Sequence, residues 1–118
     1  MIDPEPYRRE WERRRRERHD ARERQREECL ERVTAAVREV APRVPEIAAV
    51  YLFGSVLQPG RFTEGSDVDV AVDCGDPAAE STLWRLLEEE IEADIDLRRR
   101  EGAIARAVEH EGWKIYER

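Results

Sequence analysis

Val50-Tyr51-Leu52-Phe53-Gly54-Ser55, followed after a short polar loop by Ser66-Asp67-Val68-Asp69-Val70-Ala71-Val72, decides how this chain is read. An apolar run ends in Gly-Ser, and a second apolar run carries two aspartates one residue apart. Strand side chains alternate between faces, so Asp67 and Asp69 point one way while Val68, Val70 and Val72 point the other. Aspartate is disfavoured in strands, so two of them on one side of a strand call for a reason. A pair of carboxylates above an apolar layer is an oxygen-ligand set of the kind that suits Mg²⁺ or Mn²⁺. The glycine lets backbone approach a ligand closely. If Ser55 opens a short helical turn, its outward N–H groups favour an anion such as phosphate.

The rest of the chain supplies a scaffold for these two segments. Tyr7 to about Ala41 reads as one long helix preceded by Asp3-Pro4-Glu5-Pro6. From Arg8 to Glu28 only Trp11 and Ala21 are apolar, and support comes from charge pairs four apart such as Glu10–Arg14, each worth about 0.2–0.5 kcal/mol. A helix polar all round is a solvated arm or a docking element. Tyr7 and Trp11 form an aromatic pair at helical spacing near its tip. From Leu30 the pattern changes, because Leu30, Val33, Val37 and Val40 recur every three or four residues and pack this half on a body. Pro42 and Pro45 stop the helix.

Ile47 to Phe53 is a strand apolar enough to be buried on both faces. The segment Gln58 to Gly65 carries turn residues, and Asp67 to Val72 is the second strand. Asp76-Pro77 opens a helix with a capping aspartate. Ile91 to Arg98 alternates apolar and polar residues and reads as a half-buried third strand. Gly102 to Glu111 is a last helix, and Trp113 to Tyr116 closes the chain. The order of elements is that of an α+β domain in two layers. Residues 1–29 form a charged helical arm, and residues 30–118 form the domain proper.

Charge and composition narrow the function. The 118 residues carry a formal charge of −7 and 42% of them are charged. Residues 1–32 hold 11 arginines and 10 acids, for +1, leaving 10 basic and 18 acidic side chains in 33–118, for −8. An acidic body argues against direct nucleic-acid binding, which needs a basic face. No apolar run approaches bilayer-spanning length, and the first residues lack the apolar core of a signal peptide. Cys29 and Cys74 stand far apart in a chain with two histidines, which argues against zinc and fits reduced thiols in a cytoplasm.

Gly54-Ser55 with Ser66-Asp67-Val68-Asp69 resembles the signature of the polymerase β-like nucleotidyltransferase superfamily, and within it the minimal nucleotidyltransferase (MNT) domains. The likeness runs from roughly Leu30 to Tyr116. It implies a palm-like fold, a small mixed β-sheet with helices packed on one face. It also implies Mg²⁺-dependent transfer of a nucleoside monophosphate, AMP from ATP, onto a hydroxyl. Asp67 and Asp69 would hold the metal ions, and a third carboxylate in an apolar-Asp-apolar setting would complete a metal site and take the acceptor's proton. Asp94 and Asp96 both satisfy that pattern. The spacing to Ile104 and the final helix favours Asp94.

Gly54 and Ser55 resemble the family's contacts to the β,γ-phosphates. Ser66 would orient the first aspartate or cap its turn. The family often carries an arginine soon after Gly-Ser; here Val56-Leu57-Gln58-Pro59-Gly60 intervenes before Arg61, which would supply that cation from a different place. MNT proteins often act beside HEPN-type ribonuclease toxins, so the resemblance implies an antitoxin acting on a protein partner. The helical arm is then a docking element for that partner or for a second copy in a homodimer. The competing reading is a catalytically degenerate nucleotidyltransferase-fold module that works by protein binding alone.

Overall fold

The computed structural model describes residues 3–118; Met1 and Ile2 of the N-terminal arm lie outside the described residues. Helix α1 spans Glu5–Val40, one uninterrupted element of 36 residues, or about 54 Å at 1.5 Å per residue. A short 3-10 turn at Ala41–Arg43 ends it where Pro42 stands. Strand β1 (Ile47–Phe53) leads into a second 3-10 turn at Gly54–Leu57, and a loop reaches β2 (Val68–Cys74). Then come α2 (Pro77–Glu90), β3 (Ile95–Arg99), α3 (Gly102–Glu111) and β4 (Trp113–Glu117). As the sequence suggests, the Asp76 carboxylate caps α2, accepting from the Ala78 N–H at 2.9 Å.

The four strands form one mixed sheet in the order β3-β2-β1-β4. β1 runs antiparallel to both β2 and β4, while β2 and β3 are parallel and joined through α2. This is the α+β sheet expected of the chain. Strand boundaries differ from expectation in two places. β3 starts at Ile95 rather than Ile91, because α2 continues to Glu90 and the Ile91 N–H still bonds back to Leu87. The closing segment is a true edge strand on β1, and β2 begins one residue beyond Asp67.

One face of the sheet presents Val50, Leu52, Val68, Val70, Val72, Ile95 and Leu97. They merge with Val33, Val37 and Val40 of α1 and Leu83 and Leu87 of α2 into the main core. The expectation that the helices share one face is corrected by α3. Its Ile104, Ala107 and Val108, three to four residues apart, pack with Phe53, Ala71 and Tyr51 on the opposite face. That second small cluster is why β1 is apolar on both sides. It also leaves part of the opposite face uncovered beside α3, where the carboxylates stand.

Candidate active site

Register along the sheet decides which carboxylates meet. On the parallel pair, Val68 lies opposite Ile95, Asp69 opposite Asp96 and Val70 opposite Leu97. Paired residues project to the same face, so Asp69 and Asp96 are neighbours on the side away from the main core. On its other flank Asp69 pairs with Phe53, the last residue of β1. Asp67 stands just ahead of β2, exposed, and its charge reaches Asp69.

Asp94 is set differently. It precedes β3, and its carbonyl accepts the Val68 N–H at 2.8 Å, which closes the parallel ladder. It lines an open cleft of about 560 Å³ between α1, the loop after β1 and the end of α2, together with Cys29, Phe62 and Ser66. Asp69 and Asp96 thus meet in register, with Asp67 within reach of their charge and Asp94 beside a different hollow.

The electrostatics agree with the geometry. The Asp69 carboxyl is pushed above the ordinary aspartate range, first by burial and then by the negative charges of Asp96 and Asp67, with Glu111 adding to them. Arg98 opposes this. Its guanidinium pairs with Asp96 at 3.2 Å. Arg98 and Glu111 therefore belong to the site's charge environment, although the alternation of β3 offered only a generic polar position for Arg98.

The Gly54–Leu57 turn is built against the Asp69 carboxylate. Gly54 has φ +78°, a conformation that favours glycine, and a Cβ added there would collide with the Asp69 carboxylate. Ser55 follows in the turn, its carbonyl accepting from the Gln58 N–H at 3.0 Å. Val56 points into the core, fully buried. Arg61 lies on the exposed loop beyond Gly60. Ser66 caps its turn: its hydroxyl accepts the Thr63 N–H at 2.9 Å and bonds the Thr63 hydroxyl at 3.1 Å.

A model of the family described as polymerase β, nucleotidyltransferase, matches residues 36–118. The chain belongs to the polymerase β nucleotidyltransferase family. Solved structures share the fold. One is a mutant MntA–HpeT toxin–antitoxin complex, 23% identical, covering 73% of this chain and 73% of that one, with a TM-score of 0.58. A second is a toxin–antitoxin structure with AMP-PNP, 26% identical over 70% of each chain, TM-score 0.56. A third is a tri-AMPylated Shewanella oneidensis HEPN toxin in complex with its MNT antitoxin, 22% identical, covering 73% and 71% of the two chains, TM-score 0.52. Comparison with curated proteins finds no match.

For a divalent cation, the fit of these carboxylates rests on the donor set. Carboxylate oxygens are the ligands Mg²⁺ and Mn²⁺ prefer, and the crowding of negative charge that raises the Asp69 carboxyl is what a cation would relieve. Among the described residues no three acidic, histidine or cysteine groups converge into a ready-made metal cage. Asp67 and Asp69 could supply part of a coordination shell, with the remaining positions left to other oxygen ligands. That is the usual habit of Mg²⁺, which keeps water and binds through one or two carboxylates plus substrate phosphate. Also among the described residues, no helix is long and apolar enough to cross a membrane.

Proposed function

We propose that this chain is an active Mg²⁺- or Mn²⁺-dependent nucleotidyltransferase that moves AMP from ATP onto a hydroxyl of a partner protein. The observation that carries the reading is the meeting of Asp69 and Asp96 in register, beside Asp67 and directly under the side-chain-free Gly54. In the reaction the acceptor oxygen bonds to the α-phosphorus and the bond from that phosphorus to the bridging oxygen breaks. Pyrophosphate leaves, and the hydroxyl proton passes to a carboxylate.

Asp67 and Asp69 would hold the metal, with Asp96 as third carboxylate and proton acceptor. The register supports Asp96 over Asp94 in that role. When bound, the cation neutralises the triphosphate and stabilises attacking and leaving oxygens. Gly54 and Ser55 would cradle the β,γ-phosphates, since the absence of a Cβ leaves room for backbone to approach. Ser66 keeps the loop before Asp67 in shape through Thr63. Arg61 would bring its cation to the triphosphate from the loop.

AMP and a HEPN-type toxin are our choices of group and partner. Similar structures contain AMP-PNP and a tri-AMPylated HEPN toxin with its MNT antitoxin. The chain would then be the antitoxin of a HEPN/MNT pair, working in a cytoplasm where Cys29 and Cys74 remain free thiols. Residues 1–29 serve as the docking arm, for the partner or for a second copy in a homodimer, and residues 30–118 as the transferase domain. Tyr7 and Trp11, 69% and 56% exposed, give the arm apolar surface to offer.

One observation favours a second reading, a degenerate module acting by binding. The family often carries an arginine soon after Gly-Ser, whereas here Val56-Leu57-Gln58-Pro59-Gly60 follows Ser55, with Val56 buried in the core. The test is transfer of label from α-labelled ATP with Mg²⁺ to the protein encoded by the adjacent gene, wild type beside Asp67→Asn. Label with wild type alone establishes the transferase. No label and no nucleotide binding leaves the binding module.

A further inference from the structure

Among the described residues, Arg26 is the one buried charged side chain, 8% exposed in the middle of a helix otherwise coated with solvated arginines. Burying a guanidinium costs free energy unless it is paired and hydrogen-bonded, so its partners reveal its purpose. One is Glu23, one turn earlier on α1, at 3.1 Å. The other is the Val56 carbonyl in the turn after β1, which accepts from Arg26 Nη1 at 3.1 Å.

That carbonyl has a particular need. In a 3-10 turn it would accept from the amide three residues ahead, as Ser55 does from Gln58. Three residues beyond Val56 is Pro59, which has no N–H. Arg26 supplies the donor that Pro59 cannot. The next amide, Gly60, sits at φ +79° and donates to Glu23 Oε1 at 2.6 Å. Gly60's bond and the neighbouring Arg26 charge hold the Glu23 carboxyl below the usual range, against the opposing effect of burial. One ion pair on α1 therefore satisfies two backbone groups of the loop that starts at Gly54. From the other side, Gln58 is tied to Glu111 of α3 at 2.8 Å.

Resting on the transferase reading of the Gly54–Ser55 turn, we infer that Arg26, braced by Glu23, is a positioning residue for nucleotide binding. It clamps the Gly54–Gly60 segment to α1 so that the turn stays against Asp69. Arg26 contacts no reacting atom in this role. Its effect falls on nucleotide affinity through the order of the turn, and it links the arm helix to the site.

The test measures Mg·ATP affinity by calorimetry and amide hydrogen exchange on the full chain. Wild type is compared with Arg26→Met, Arg26→Lys and, as an exposed-arginine control, Arg43→Met. Arg26→Met is expected to weaken Mg·ATP binding about tenfold and to speed exchange at Leu57, Gln58 and Gly60 by a similar factor, the scale of one lost charge-assisted hydrogen bond. Exchange at Val50 and Val70 in the sheet is expected to stay at wild-type rates. Arg26→Lys keeps a donor for Val56 without the fork toward Glu23 and is expected to fall between; it carries the test if Arg26→Met does not fold. Arg43→Met is expected to match wild type.

An unchanged affinity in Arg26→Met, or exchange accelerated evenly across the sheet, overturns the clamp and leaves Arg26 a general stabiliser. Failure of wild type itself to bind Mg·ATP overturns the transferase reading instead.

Discussion

Asp69 and Asp96 face each other across the parallel β2–β3 pair, and the charge of Asp96 is one of the forces that raise the Asp69 carboxyl. Asp94, two residues earlier, precedes the strand and lines the cleft beside α1. The two candidates for third carboxylate therefore separate by substitution. Asp96→Asn is expected to lower the rate of AMP transfer by about 10²-fold or more, the scale of losing a positioned acid–base group, and Asp67→Asn and Asp69→Asn to abolish most of it by removing oxygens that would hold the cation. Asp94→Asn is expected to stay within a few-fold of wild type. Initial rates with labelled ATP decide it; a collapse in Asp94→Asn with Asp96→Asn intact reverses the assignment.

The raised Asp69 carboxyl also predicts a pH dependence. Its proton is held more tightly in the folded state than in the unfolded chain. Its contribution to stability is thus present below the ordinary aspartate range and is lost as pH rises through the raised folded value. At neutral pH without divalent ions, Asp69→Asn should melt a few degrees above wild type. Mg²⁺ should raise the melting temperature of wild type and leave Asp69→Asn unmoved. The Mg²⁺ effect should fade in wild type as pH falls toward the raised value, because protons compete for the same oxygens. Calorimetric melts across pH, with and without Mg²⁺, measure all three.

Much of the fold was legible from local sequence because its signals are local. The extent of β1, the aspartate cap of α2 and the span of α3 follow from apolar runs and caps that need no distant partner. Asp94 and Asp96 fit the same alternation, and the sequence spacing favours Asp94; that Asp96 lies opposite Asp69 follows only from the register of β3 against β2, which local sequence does not carry. The position of α3 on the far face was hidden for a related reason: β1 reads as apolar on both sides whichever helix covers it. Arg26 was the least legible. Among eleven arginines in the first 32 residues nothing local marks it, and its role arises from a proline 33 positions away that leaves a carbonyl without a donor.

Gly54 concentrates two constraints at one atom. Any side chain there meets the Asp69 carboxylate, and the positive φ costs a non-glycine residue about 1–2 kcal/mol by itself. Gly54→Ala is expected to lower the melting temperature and to displace Asp69, reducing AMP transfer more than tenfold. Pairing it with Asp69→Ala removes the collision and leaves only the backbone cost. The double variant should therefore recover melting temperature relative to Gly54→Ala while remaining inactive. A double-variant cycle in thermal denaturation checks this, and strictly additive losses would refute the steric coupling.

The arm divides by what it touches. The ten residues from 11 to 20 are all exposed, whereas Glu23 and Arg26 reach the loop after β1. Removing residues 1–22 should leave the melting temperature within about 4 °C of the full chain, because surface changes of this kind are worth around 0.5 kcal/mol. Mg·ATP binding should persist as well. Removing residues 1–29 should cost several degrees more, since it also removes the buried hydrogen bond from Arg26 to the Val56 carbonyl and the packing of Cys29 on the core. Both truncations are expected to lose labelling of the partner protein, the shorter one through docking alone. If the 1–22 deletion labels its partner as well as the full chain does, the arm is not the docking element, and its length beyond Glu23 has to be explained by something other than recognition.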